Sequence, residues 1–204
     1  VAEKFYTGIG SRETPQPILD LMEALGEALC RHNWVLRSGG AKGADSAFER
    51  GALKARPKYG AANRPIEIWL PWEGFEHRPE GNGWDYVLGH TADAEIAERF
   101  HPAWDRCSQG ARKLHTRNVG QILGLRVTNY GSENDPDPEV YSYRQPRSKF
   151  VLCWTKDGLG AGGTGQALRI ANFYGVPIFD LGDRDVEAHI RARFHRLLQE
   201  GVAA

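Results

Sequence analysis

Trp34-Val35-Leu36-Arg37-Ser38-Gly39-Gly40-Ala41-Lys42-Gly43-Ala44-Asp45 sets a short aromatic and β-branched run directly against a glycine cluster. The residues that follow, Asp45 to Lys54, carry Ala47, Phe48, Ala52 and Leu53 at helical spacing. The stretch therefore reads as strand, glycine turn, helix. The same order recurs twice. Phe5-Tyr6 precedes Thr7-Gly8-Ile9-Gly10-Ser11-Arg12, and Phe150-Val151-Leu152-Cys153-Trp154 precedes the cluster from Gly158 to Gly165. Three such units predict an α/β fold: an open, mainly parallel sheet with helices on both faces.

Outward from these units, Pro15 to Arg31 places Ile18, Leu21, Met22, Leu25 and Leu29 on one helical face, with Thr14 as the expected N-cap. Ile66 to Leu70 reads as a strand stopped by Pro71. Gln109 to Leu125, Thr164 to Tyr174 and Asp183 to Gln199 read as helices, and Val176 to Leu181 as a last strand. Two stretches, 71–107 and 129–147, do not repeat the unit and are expected to be irregular excursions at the ligand-binding edge of a single domain spanning 1–204.

Composition narrows the function. Lys plus Arg and Asp plus Glu number 26 each, so no surface-wide phosphate-tracking charge exists. Apolar runs fall short of the ~20 residues of a membrane span, and Val1 to Phe5 lack a basic, apolar leader. Cys30, Cys107 and Cys153 are widely spaced, which encodes no disulfide framework. A cytoplasmic protein is expected, without a membrane partner.

Glycine turns that open helices suit an anion, because the helix start offers unpaired N–H groups and the positive dipole end. In the second cluster Ser38 and Lys42 are candidate phosphate partners, Gly39, Gly40 and Gly43 permit close backbone approach, and Asp45 can cap the helix or take a ribose hydroxyl. Gly162, Gly163, Thr164 and Gly165 offer the same geometry on another helix. Neither pattern is a Walker loop or the spaced dinucleotide fingerprint. Glycines also make plain turns, but three such loops at equivalent strand ends converge on one crevice. The expected ligand is a nucleotide or nucleotide-derived molecule.

Gly8-Ile9-Gly10-Ser11-Arg12 with Thr14-Pro15, then Leu36 to Asp45, resembles the N-terminal half of the Rossmann-like fold of DNA-processing protein A. Phe150 to Trp154 with Gly162 to Gly165 resembles the second half of the related "lonely guy" phosphoribohydrolases. The chain looks most like small bacterial or phage members labelled DprA-like, working in the host cytoplasm if phage-encoded. The resemblance implies a nucleotide-sensing Rossmann-like domain with Gly8, Gly10, Ser11, Arg12, Arg117 and Asn118 at the site. It also implies two alternatives. One is a nucleoside monophosphate phosphoribohydrolase using Arg117 and Asp45. That activity's loop carries a Glu after its Gly-Thr pair, whereas Thr164 here is followed by Gly165-Gln166-Ala167-Leu168. The other is a single-stranded DNA-binding accessory protein, for which nucleic acid is the less favoured partner on charge. Homodimerisation stays open.

No His-x-x-x-His or Cys-x-x-Cys spacing occurs among the seven His and three Cys, so neither metal ligands nor a cofactor are expected. Ser11 and Ser38 lack the Gly-x-Ser-x-Gly elbow of a hydrolase. Trp69, Trp72, Phe75, Trp84 and Tyr86 cluster near the strand end at Leu70; a satellite core is the plainer reading, with Trp72 the candidate for stacking on a base. The C-terminal run of Arg184, Arg191, Arg193 and Arg196 is interleaved with Asp185, Glu187 and apolar residues, and reads as a solvated amphipathic helix.

Overall fold

A computed structural model describes residues 4–55, 66–78, 86–88, 91–124, 126–128, 141–143, 146–158, 160 and 162–200. Its centre is a six-stranded parallel sheet of β1 (Lys4–Gly8), β2 (Trp34–Ser38), β3 (Ile66–Leu70), β4 (Tyr86–Leu88), β7 (Val151–Cys153) and β8 (Ile178–Asp180). The strand order is β4-β3-β2-β1-β7-β8. A separate antiparallel pair joins β5 (Arg126–Thr128) to β6 (Tyr141–Tyr143). The expected α/β sheet with helices on both faces is what the chain forms.

Alternation along the strands divides the core. Tyr6, Leu36, Ile66, Ile68 and Leu152 enter one layer with α1 (Gln16–Arg31), α2 (Ala44–Ala55) and Phe194 of α6 (Arg184–Glu200). Val151 and Cys153 enter the other, against α3 (Thr91–Arg99), α4 (Gln109–Leu123) and α5 (Gly162–Phe173). A period of two is what a strand covered on both faces requires. On the first face α1 and α2 meet backbone to backbone. A Cβ on Gly51 would lie 1.9 Å from the Glu23 carbonyl oxygen, and one on Gly26 would lie 2.5 Å from that of Phe48.

One charged pair lies inside the sheet. Arg37 Nε donates to Glu67 Oε2 at 2.7 Å with both side chains buried, and its guanidinium covers the Phe5 ring at 3.8 Å. A second donor reaches the Pro146 carbonyl at 2.8 Å, so the buried cation is paired and hydrogen-bonded, as burial of a charge demands.

Several expectations shift. The N-cap of α1 is Pro15 and not Thr14, whose hydroxyl instead donates to the Ser11 carbonyl at 2.7 Å and folds the preceding loop on itself. The helix expected to Leu125 ends at Leu123, where Gly124 takes φ +78°. The 71–107 stretch is regular in part: it supplies β4, α3 and two short 3-10 turns, Phe75–His77 and Trp104–Arg106. Of 129–147, only β6 and residues 146 and 147 are described, and Trp84, His90 and the Asp135–Pro138 run lie outside the described residues.

Candidate functional site

Parallel strands put the turns after β1, β2 and β7 at one edge of the sheet. In the order β4-β3-β2-β1-β7-β8 the chain reverses its direction of growth between β1 and β7, and ligands of open α/β sheets bind outside such a switch point. A cleft of about 360 Å³ opens there. Of the residues expected at the site, Gly10, Ser11, Arg12, Asp45, Arg117, Asn118, Gly162, Gly163 and Thr164 line it.

The first wall is made by two stacked turns. A Cβ on Gly10 would lie 2.7 Å from that of Ala44, and one on Gly43, which takes φ +85°, would lie 2.7 Å from the Ser11 carbonyl oxygen. The Asp45 carboxylate accepts from the backbone N–H of Ala41, at 3.2 Å, and of Gly10, so it clamps one turn to the other. Ser38 is buried and its hydroxyl donates to the Gly8 carbonyl at 2.7 Å, an inter-strand bond and not a phosphate contact. Gly8 faces Phe48 and Leu36 in the core, and Gly39 leaves room for Gln121 and Arg117. Gly40 lies under Arg78, which bonds its carbonyl at 3.3 Å. Lys42, 77% exposed, points to Glu76 at 3.6 Å, and Arg12, 61% exposed, bonds the same carboxylate at 3.0 Å. Such exposed pairs are weak and exchange readily.

The opposite wall is one face of α4. Leu114, Arg117, Asn118 and Gln121 project into the cleft at spacings of three and four, with His115 beside them. Arg117 donates to the Gly39 carbonyl, stands 4.0 Å from Asp45 Oδ2 and covers the Phe75 ring at 5.1 Å. Its side chain is 11% exposed, and its Nε is buried with no hydrogen-bond partner among the described residues. Burial draws the guanidinium pKa down and the Asp45 pKa up, each against the opposing pull of the other's charge. The pair is thus under-compensated. Gln121 Oε1 is a second buried polar atom left without a partner. Burial foremost, then the neighbouring His101 and Arg169, lowers the His115 pKa to about 4 and keeps the ring neutral at pH 7.

The start of α5 forms the third side. Gly162 takes φ +70°, and a Cβ on either Gly162 or Gly163 would meet none of the described residues within 4 Å. Asn118 donates to Gln166 Oε1 at 2.8 Å and to the Gly163 carbonyl at 3.3 Å, so it fixes the helix start in place. Gly165 packs against the Gly160 carbonyl outside the cleft. Trp72, 38% exposed, stands edge-on to Phe75 at 5.2 Å and does not line the cleft.

Leu114, His115 and Gln121 escape the sequence reading, although the helical period through Arg117 and Asn118 points at each. A second grouping also emerges. His101, Cys107 and His115 bring ligand-capable atoms within 4.8 Å of one another, from spacings of six and eight residues that match no standard metal pattern.

No known family matches the chain, and no curated protein sequence matches it. Among solved structures, DNA processing protein A from Helicobacter pylori, described for its single-stranded DNA binding mode, is similar over 98% of this chain and 82% of that one. The identity is 14% and the TM-score 0.46, a likeness of fold that leaves the chemistry of the cleft to its own residues. Among the described residues, no helix is long and apolar enough to cross a membrane.

Proposed function

We propose that the cleft binds a nucleotide or nucleotide-derived ligand through its phosphate, as a single DprA-like sensing domain in the cytoplasm. The observation that carries this reading is Arg117, a buried guanidinium whose Nε has no partner among the described residues, in the same cleft as the open, glycine-lined start of α5. A planar cation and a helix N-terminus are the two groups that best hold a phosphate. The volume falls in the range of small-molecule sites. Arg12 and Lys42 reach a phosphate by exchanging Glu76 for it.

A second reading places that nucleotide within single-stranded DNA, the ligand named for the Helicobacter pylori protein. It is favoured by the exposed Trp72 and by the exposed cations Arg12 and Lys42, because aromatic side chains and cations together are what hold unpaired strands. Hydrolysis of the glycosidic bond, the third reading, would rest on Arg117 and Asp45, which stand 4.0 Å apart on the cleft wall.

Calorimetric titration with a panel of nucleoside monophosphates, beside a short oligodeoxynucleotide, tests all three. The main reading expects saturable mononucleotide binding; the absence of any would reject it. Strand binding that weakens with salt and is not displaced by mononucleotides would establish the second reading. Free base appearing on chromatography would establish turnover.

A further inference from the structure

We propose that His101, Cys107 and His115 form a binding site for one divalent transition-metal ion of the zinc class. The three come from separate pieces of chain. His101 follows α3, Cys107 follows the 3-10 turn Trp104–Arg106, and His115 lies on α4. Their candidate ligand atoms nevertheless fall within 4.8 Å of one another. Two imidazoles and a thiol are the borderline-soft set that selects zinc-like ions over magnesium or calcium.

Cys107 Sγ stands over the face of the His101 ring, close to both of its nitrogens, so the groups come within reach of one ion once that ring turns to aim a lone pair at it. Cys107 Sγ lies 3.6 Å from His101 Nδ1 and 3.7 Å from Nε2. A tetrahedral ion with metal–sulfur and metal–nitrogen bonds of about 2.3 and 2.05 Å separates sulfur from nitrogen by about 3.5 Å. The His101 and His115 rings are 4.2 Å apart, centroid to centroid. His115 Nδ1 is buried and has no hydrogen-bond partner among the described residues, while the same ring is bonded by the Gln166 side chain. With Nδ1 unpartnered, that bond falls to Nε2. This is the outer bond that fixes a metal-binding histidine with its free lone pair turned inward. Gln166 is itself fixed, donating to the Ala97 carbonyl at 3.1 Å.

Two weak contacts give way on ligation. His101 Nδ1 accepts from the Ala103 N–H at 3.2 Å, and the Cys107 thiol donates to the Ala103 carbonyl at 3.5 Å. The ion takes the Nδ1 lone pair, and the thiol binds as thiolate, releasing one proton to solvent. Three protein ligands leave a fourth position for water or an anionic oxygen. Because His115 also lines the cleft, the site borders it.

Cobalt(II) titration of metal-stripped, reduced protein is the test. Expected are one ion per chain, a thiolate-to-cobalt charge-transfer band with tetrahedral visible bands, and displacement of cobalt by zinc. Cys107→Ser and His115→Gln should each weaken binding by more than about 100-fold, the upper cost of losing a mere outer-shell partner. No thiolate band in the wild type, or unchanged affinity in folded Cys107→Ser, overturns the site. The wild type supplies a readout that no variant's folding can spoil. Cys30 and Cys153 are buried, so alkylation reports Cys107. Zinc should slow that alkylation at least tenfold and a chelator should restore it; an alkylation rate indifferent to zinc overturns the proposal.

Discussion

A Cβ added at Gly43 would lie 2.7 Å from the Ser11 carbonyl oxygen on a backbone held at φ +85°, whereas the same atom at Gly163 would meet none of the described residues within 4 Å. The two glycines belong to segments of similar composition at equivalent strand ends. The turn after β2 uses its glycines to let chain pack on chain, and two of its polar groups are already spent. The Ser38 hydroxyl is bonded to Gly8, and the Ala41 amide to Asp45. The start of α5 keeps its glycine surface clear. Glycine content marks close approach, and only the packing tells whether what approaches is the protein itself or a ligand.

The same substitution at both positions should separate the two uses. Gly43→Val combines a β-branched residue at positive φ with a backbone clash, and should lower folding stability by about 3 kcal/mol or more. In a chain of this length that is a fall of about 6–12 °C in Tm. Gly163→Val should leave Tm unchanged, since Val is the better helix former, yet reduce affinity for a nucleoside monophosphate by more than about 100-fold, or about 2.7 kcal/mol. Calorimetric melting and titration read both. Full affinity in the folded Gly163→Val protein would mean that the start of α5 is not where phosphate sits.

Arg117→Lys sharpens the contrast from the opposite wall. A point charge cannot reproduce the planar fork, so affinity should fall by about 1–3 kcal/mol with the fold intact. An unaltered titration would leave Arg117 a structural residue of α4.

The smallest expected effect is a slope. Burial raises the Asp45 pKa, against the pull of Arg117 and of the Ala41 and Gly10 amides. For a carboxyl raised above its unfolded value, the contribution to stability is complete below the unfolded pKa. It is lost as pH rises through the folded one. Wild-type stability should therefore decline over the range above the ordinary carboxylate value, and Asp45→Asn should flatten the decline. Equal slopes in urea midpoints measured against pH would assign the decline to another group.

The fold was largely legible because its strands are short runs of bulky residues set against glycine. Ile66–Leu70 emerged with its observed bounds, and Phe5-Tyr6 and Trp34 to Leu36 mark β1 and β2. Tyr86–Leu88 did not emerge, since three residues are too few for a period-two pattern to register, and neither did α3. The site was half legible. Arg117 and Asn118 lie where the resemblance put them, on the cleft wall. Ser38 was misread because residue type does not reveal that its hydroxyl is satisfied by the neighbouring strand. The Lys42 pairing was not legible because Glu76, which it faces at 3.6 Å, is 34 positions away. The His101, Cys107 and His115 cluster depends on a turn of chain folding back along α4, which spacing alone does not encode.

The glycine contact between α1 and α2 has a mechanical consequence. Each helix runs on from one of the stacked turns of the first wall, and between Gly26 and Gly51 there is no side chain to compress or rotate. The turn after β1 therefore meets the turn after β2 through Ala44 and through a helix pair packed backbone on backbone. That side of the cleft behaves as an anvil. Any give needed to admit, grip or release a ligand must come from the facing jaw, where α4 and α5 are fastened through the amides of Asn118 and Gln166 and can shift together.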